Sequence, residues 1–175
     1  IGVQGSDEGG ADSGRTAVFF GASIAGGGTF ALSDADVTLL GAEADLSGRS
    51  VAGAGDVDGD GVPDLLIGGA NLVAFGVSGA DVLAGGTFDL DDVGTVFQAS
   101  AAQGDVVLSV AAGGDLDGDG LEDLLITSAN NLAVGLGKVC VFLGGGLLTG
   151  GVLSLEEADA VFYGTTGVAQ LATGA

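Results

Sequence analysis

Apolar positions along this 175-residue chain come in short runs cut by glycine and aspartate, a pattern that predicts strands rather than helices. Ser50-Val-Ala-Gly-Ala-Gly55 and Ser109-Val-Ala-Ala-Gly-Gly114 predict a first strand type. Asp64-Leu-Leu-Ile-Gly68 and Asp123-Leu-Leu-Ile-Thr127 predict a second, so each successive pair makes a hairpin. Gly14–Gly21, Gly79–Gly86 and Gly137–Gly144 line up as a third type, and Val37–Gly41, Thr95–Ala99 and Ala160–Gly164 as a fourth. Gln170–Ala175 is a truncated copy of the first type, and Ile1-Gly2 matches Ile67-Gly68. The period is about 60 residues, the separation of Asp56 from Asp115, and spacing of this order marks repeat architectures. Four strands per unit with glycine-rich connections describe one propeller blade.

The chemistry is concentrated in the links between first and second strands. Asp56-Val-Asp-Gly-Asp-Gly-Val-Pro-Asp64 and Asp115-Leu-Asp-Gly-Asp-Gly-Leu-Glu-Asp123 carry carboxylates at positions 1, 3, 5 and 9 and glycines at 4 and 6. Carboxylates crowded this closely repel one another unless a hard cation sits among them. Calcium takes six to eight oxygens in irregular geometry, which such a loop can supply. The candidate ligands are Asp56, Asp58, Asp60, Asp64 and the Val62 carbonyl, then Asp115, Asp117, Asp119, Asp123 and the Leu121 carbonyl. Gly61 and Gly120 permit the sharp turn that folds each loop back on its ion. An acidic Asp-Gly turn without an ion is the bland alternative, and two matched copies in matched contexts weigh against it. The loops are not EF-hands, because position 12 is Ile67 or Ile126 instead of glutamate and the flanks read as strands. A nonapeptide β-roll is disfavoured as well, since the motif does not recur every nine residues.

Gly48 to Gly68, with Arg49-Ser-Val-Ala-Gly-Ala-Gly before the acidic loop and Leu65-Leu-Ile after it, resembles an FG-GAP repeat, the unit of integrin α-subunit β-propellers. Ser109 to Ile126 matches it a second time. The resemblance implies an all-β fold of propeller-type blades, each of four antiparallel strands, with calcium in the loop between the first two. It departs from the family at Ala70-Asn71 and Ala129-Asn130, where Ala-Pro is usual, and in the degraded pairs Leu40-Gly41, Gln98-Ala99 and Tyr163-Gly164. About three repeats make an incomplete ring: a partial blade 1–32, a central blade about 33–90, a blade about 91–154 and a partial blade 155–175. Two arrangements are expected from this, a slice of a closed propeller of about seven blades or units joined end to end.

Composition fits an extracellular β protein. Thirty-seven glycines without a three-residue period exclude collagen and suit tight turns. The uncharged stretches near 17–33 and 139–155 are interrupted by glycines and read as paired strands and loops, not membrane spans. Net charge is −21, from 24 acids against three bases, Arg15, Arg49 and Lys138. Such a surface repels nucleic-acid phosphates and anionic membranes. Cys140, the lone cysteine, sits in an apolar strand aligned with Ala17 and Val82 and reads as a buried small hydrophobe.

The absence of histidine removes His-dependent triads and common zinc sites. Asp34, Asp36, Asp45, Asp91, Asp92, Glu156 and Glu157 fall mostly in connections and read as solvated turn residues, and Glu122 is expected to point to solvent or to make a contact behind the ligands. Phe19, Phe20, Phe97, Phe142, Phe162 and Tyr163 are expected to pack in the core or between blades. Asn71, Asn130 and Asn131 lack the N-glycosylation pattern. The reading is of a non-catalytic, calcium-stabilised binding or adhesion module, secreted or at the cell surface, that holds a protein or glycan partner. A self-assembling subunit of an extracellular fibre or matrix is the second reading, and an accessory propeller of a secreted hydrolase the third.

Overall fold

In the computed structural model, residues 1–130 and 137–164 are described. The strands in chain order are β1 (Gly2–Val3), β2 (Arg15–Val18), β3 (Val37–Leu40), β4 (Ser50–Gly55), β5 (Asp64–Gly68), β6 (Val73–Val77), β7 (Gly86–Asp89), β8 (Gly94–Gln98), β9 (Asp105–Gly114), β10 (Asp123–Asn130), β11 (Gly137–Phe142), β12 (Gly151–Ser154) and β13 (Ala160–Tyr163). The protein is mostly β, as its apolar runs predict, with only single helical turns between strands. The sheets run β1-β2-β3-β7, then β12-β8-β6-β5-β4, then β13-β11-β10-β9, and none closes on itself. The predicted copy at Gln170–Ala175 and the Asn131 position lie outside the described residues. Among the described residues no helix is long and apolar enough to cross a membrane.

The first two sheets are antiparallel meanders to each of which one foreign strand is added, and the third is an antiparallel meander alone. β7 leaves the second repeat and pairs in parallel with β3, Val37 opposite Gly86. β12 leaves the third repeat and pairs in parallel with β8, Thr95 opposite Gly151. Neighbouring sheets are thus sewn together by an exchanged strand. The expectation of blades with antiparallel strands alone omits this fifth element, because its short Gly-Gly-led segment carries no alternating apolar signal.

The middle sheet is apolar on both faces. Ile67, Phe75 and Val77 are buried with Val37, Leu39 and Leu90, in the core between the first and second sheets. Leu66, Ala74 and Phe97 are buried with Val110, Ile126, Cys140 and Phe142, in the core between the second and third. Phe97 and Phe142 meet there with ring centroids 4.9 Å apart. Near-continuous apolar runs such as Leu65-Leu-Ile67 follow from this two-sided burial.

Several sequence expectations are corrected. Gly79–Gly86 is not a third strand: Gly79–Val82 is a helical turn, and the third strand of that sheet is β6. Aligning the glycines placed the wrong end of the motif, since Gly79 matches Gly21 and Gly144, which follow their strands. The register then puts Cys140 level with Phe75, because these face Ile126 and Ile67 across the ladder, so Val82 is not its counterpart. Cys140 itself is buried, as expected of a small hydrophobe. Phe162 and Tyr163 do not pack in a core but stand 61% and 66% exposed.

Candidate metal-binding loops

The two acidic loops connect β4 to β5 and β9 to β10, the first hairpin of the second and third sheets. A register shift just before each loop, at Gly55 and at Gly114, kinks the hairpin, and both glycines have positive φ. Within the loops Gly59, Gly61, Gly118 and Gly120 have φ of 84°, 84°, 83° and 94°, a region that disfavours side chains. The sequence places glycine where the backbone must turn left-handed.

The polar geometry is the same in both loops. Asp56 accepts from the Gly59 and Gly61 N–H groups at 2.8 and 3.0 Å, and Asp115 from Gly118 and Gly120 at 2.7 and 3.0 Å. Asp58 accepts from Asp60 N–H and Asp117 from Asp119 N–H, each at 3.1 Å. Asp60 and Asp119 accept in turn from the N–H of Val62 and Leu121 at 2.7 and 2.8 Å. Short side chains thus hold the loop by local bonds of the kind Asp makes in turns.

Position 9 does a different job. Asp64 is fully buried; one oxygen accepts from Val57 N–H at 2.8 Å and the other from Gly79 N–H at 2.9 Å. Asp123 is equally buried and takes Leu116 N–H at 2.6 Å and Gly144 N–H at 2.8 Å. Each carboxylate ties its loop to the end of the sheet's third strand. A Cβ on Gly79 would lie 2.1 Å from the Pro63 carbonyl oxygen and one on Gly144 2.7 Å from that of Glu122, so this approach needs glycine. Burial pushes the Asp64 carboxyl above the ordinary range, although the Gly79 and Val57 bonds oppose it.

Side-chain oxygens of Asp56, Asp58 and Asp64 come within 4.8 Å of one another, as do those of Asp115, Asp117 and Asp119. Asp60 stands outside the first group and Asp123 outside the second. The ion pairs among the described residues are Arg15–Glu8 and Lys138–Asp105, so neither cluster is neutralised by a basic side chain. Each carboxylate oxygen that accepts an N–H keeps a lone pair, and a third source of oxygen is the carbonyl at position 7. This donor set, all oxygen and negatively charged, suits a hard cation such as calcium.

The loops lie side by side. Glu122 N–H donates to the Asp56 carbonyl at 3.1 Å, and Gly145 N–H to the Val57 carbonyl at 2.7 Å. The Glu122 side chain lies over Gly55, where an added Cβ would be 2.2 Å from its Cγ, so of the two expectations for it the contact is the one seen. Deeper in the same seam Ser50 Oγ and Ser109 Oγ, at matching strand positions, are 3.3 Å apart.

Three features escaped the sequence reading. Asp36 takes the Ser23 hydroxyl and the Phe20 N–H, both at 2.7 Å, and these bonds, Ser23 first, hold its carboxyl below the ordinary range. Asp159 binds Leu143 N–H at 2.9 Å in the matching place. Lys138 and Asp105, both buried, form an ion pair at 2.5 Å across β10. Only the rarity of lysine in so acidic a chain hinted at the last.

Compared with protein-family models, with characterised proteins and with solved structures, the chain matches none.

Proposed function

We infer that the chain is a calcium-stabilised, non-catalytic binding or adhesion module of FG-GAP type, acting outside the cell or at its surface. Its three sheets serve as successive blades of a propeller-like array, and calcium in the two loops is structural. The observation that carries this reading is the duplicated loop geometry, in which carboxylates without a basic neighbour converge at the same point of two consecutive sheets. Asp56, Asp58, Asp60, Asp64 and the Val62 carbonyl hold one ion; Asp115, Asp117, Asp119, Asp123 and the Leu121 carbonyl hold the other. Bound calcium supplies positive charge that offsets the loop repulsion, and the net charge of −21 falls to −17 with two ions. The partner is a protein or glycan, or another copy of the chain, and the remaining acidity disfavours nucleic acid.

Calcium that binds the folded loops and not the unfolded chain adds about 2.7 kcal/mol per site at 100 times the dissociation constant. Thermal unfolding of EDTA-stripped protein during calcium titration is expected to show a saturable stabilisation. Changing Asp58 and Asp117 together to Ala should abolish it. A midpoint that ignores calcium would refute the reading.

A further inference from the structure

The strands exchanged between sheets have a third copy that exchanges with nothing. Gly86-Thr-Phe-Asp-Leu90 and Gly151-Val-Leu-Ser-Leu155 contain β7 and β12, and Gly28-Thr-Phe-Ala-Leu32 repeats their pattern. Gly21, Gly79 and Gly144 each stand seven residues before the glycine that opens the segment. A helical turn follows all three, beginning at Leu32, Leu90 and Leu155. Leu90 and Leu155 are buried and Phe88 and Leu153 pack on the cores, yet Phe30, their counterpart, is 42% exposed and rests on Phe19. Residues 28–31 are in no strand ladder.

The opposite end of the molecule shows the matching vacancy in pairing. β3 and β8 are each flanked on the outside by an exchanged strand, whereas β13 pairs only with β11 among the described residues. Phe97 is fully buried by the sheet that follows it, but its counterpart Phe162 is 61% exposed. Val57 is likewise buried and its counterpart Leu116 is 57% exposed. An edge strand flanked by exposed apolar side chains is a template for another strand.

We propose that a second copy of this chain completes the outer edge of β13 with its Gly28–Ala31 segment. The two internal exchanges fix the pairing. Val37 meets Gly86 and Thr95 meets Gly151, and Ala160 holds their place in the third sheet, so Gly28 lies in parallel opposite Ala160 and Phe30 opposite Phe162. Phe30 then takes the place beside Phe162 that Phe88 takes beside Leu39 and Leu153 beside Phe97. The contact is heterologous: every copy carries one donor segment and one acceptor edge, so association runs head to tail. This rests on the binding-module reading only in naming its partner, and none of the loop carboxylates takes part.

Sedimentation velocity of the whole chain in saturating calcium is expected to show mass rising with concentration above the 16.5 kDa monomer. Phe30→Asp removes the donor and Phe162→Asp the acceptor; both positions are exposed, so each variant should fold with unchanged circular dichroism and sediment as a monomer. An equimolar mixture retains one intact donor and one intact acceptor, and should give a species of twice the monomer mass and nothing larger. Wild-type protein that stays monomeric, variants that assemble like wild type, or a mixture that stays monomeric would each overturn the proposal. Calcium-dependent stabilisation persisting in a strictly monomeric protein would sink this inference and leave the metal reading standing.

Discussion

Truncating Asp64 should cost stability with or without calcium, whereas truncating Asp58 should cost it only in calcium, although both belong to one acidic loop. Asp64 accepts from the buried N–H groups of Val57 and Gly79. Asp64→Ala leaves both donors unpaired, and each costs about 1–3 kcal/mol, so the expected loss is about 2–6 kcal/mol even in EDTA. Asp58 accepts one exposed N–H at 3.1 Å and stands among like charges. Asp58→Ala should therefore shift stability in EDTA by no more than about 0.5 kcal/mol, the usual scale of a surface change. In calcium the loss at Asp58 appears. The wild-type loop gains about 2.7 kcal/mol at 100 times the dissociation constant, and Asp58→Ala forfeits that gain. Urea unfolding of the three proteins in EDTA and in excess calcium gives the four differences needed. Equal losses for the two variants in EDTA would refute the division of labour between position 3 and position 9.

Two further predictions concern charges away from the loops. Burial raises the Asp45 carboxyl, with the Asp91 charge adding to it and the Ala42 N–H bond opposing it. A raised carboxyl binds its proton more tightly in the folded state, so it depresses stability at neutral pH and ceases to do so as pH falls through its folded value. Asp45→Asn should therefore be more stable than wild type at neutral pH, with the gain fading on acidification; a gain that grows toward acid would show the sign to be wrong. Lys138→Met should cost about 3–5 kcal/mol in chemical denaturation, because Asp105 is left as an unpaired buried charge, and adding Asp105→Leu should restore most of it. Burial lowers the Lys138 value, but the Asp105 bond and charge outweigh it and raise it overall, so the pair's contribution holds at neutral pH and is lost only as pH rises above the ordinary lysine range.

The hairpins and the loops were legible because their signals are local. Asp-Gly at fixed spacing, with strands on either side, specifies both the turn and its neighbours, and β4, β5 and the start of β10 lie where the apolar runs predict. The third strand of the middle sheet was misread because Val73-Ala-Phe-Gly-Val77 is interrupted by Gly76, which needs to be small under Leu148 and Phe97. Glycine there marks the close approach of the connection after β11 and of a neighbouring ring, not the end of a strand. The exchanged strands were invisible for another reason. Gly86–Asp89 is held by a partner some 49 residues earlier in the chain, at Val37, and nothing in its own four residues announces a parallel edge. Asp64 and Asp123 were read as candidate ligands, but their bonds to Gly79 and Gly144 depend on where the third strand ends.

Those bonds explain why the loops and the sheets belong to one argument. The position-9 carboxylate holds the loop with one oxygen and the third strand's end with the other, so a shift in either is felt by both. The first loop is braced further, since its Asp56 and Val57 carbonyls accept from Glu122 and Gly145 of the next repeat. The second loop has the same internal bonds but no such cover among the described residues, and its position-2 side chain, Leu116, is exposed where Val57 is buried. Two loops with the same internal bonds are therefore braced differently: the first is held by its neighbour, and among the described residues the second is not. A sheet added beyond β13 would make the second loop like the first, so assembly at the outer edge and ordering of the second acidic loop draw on the same surface.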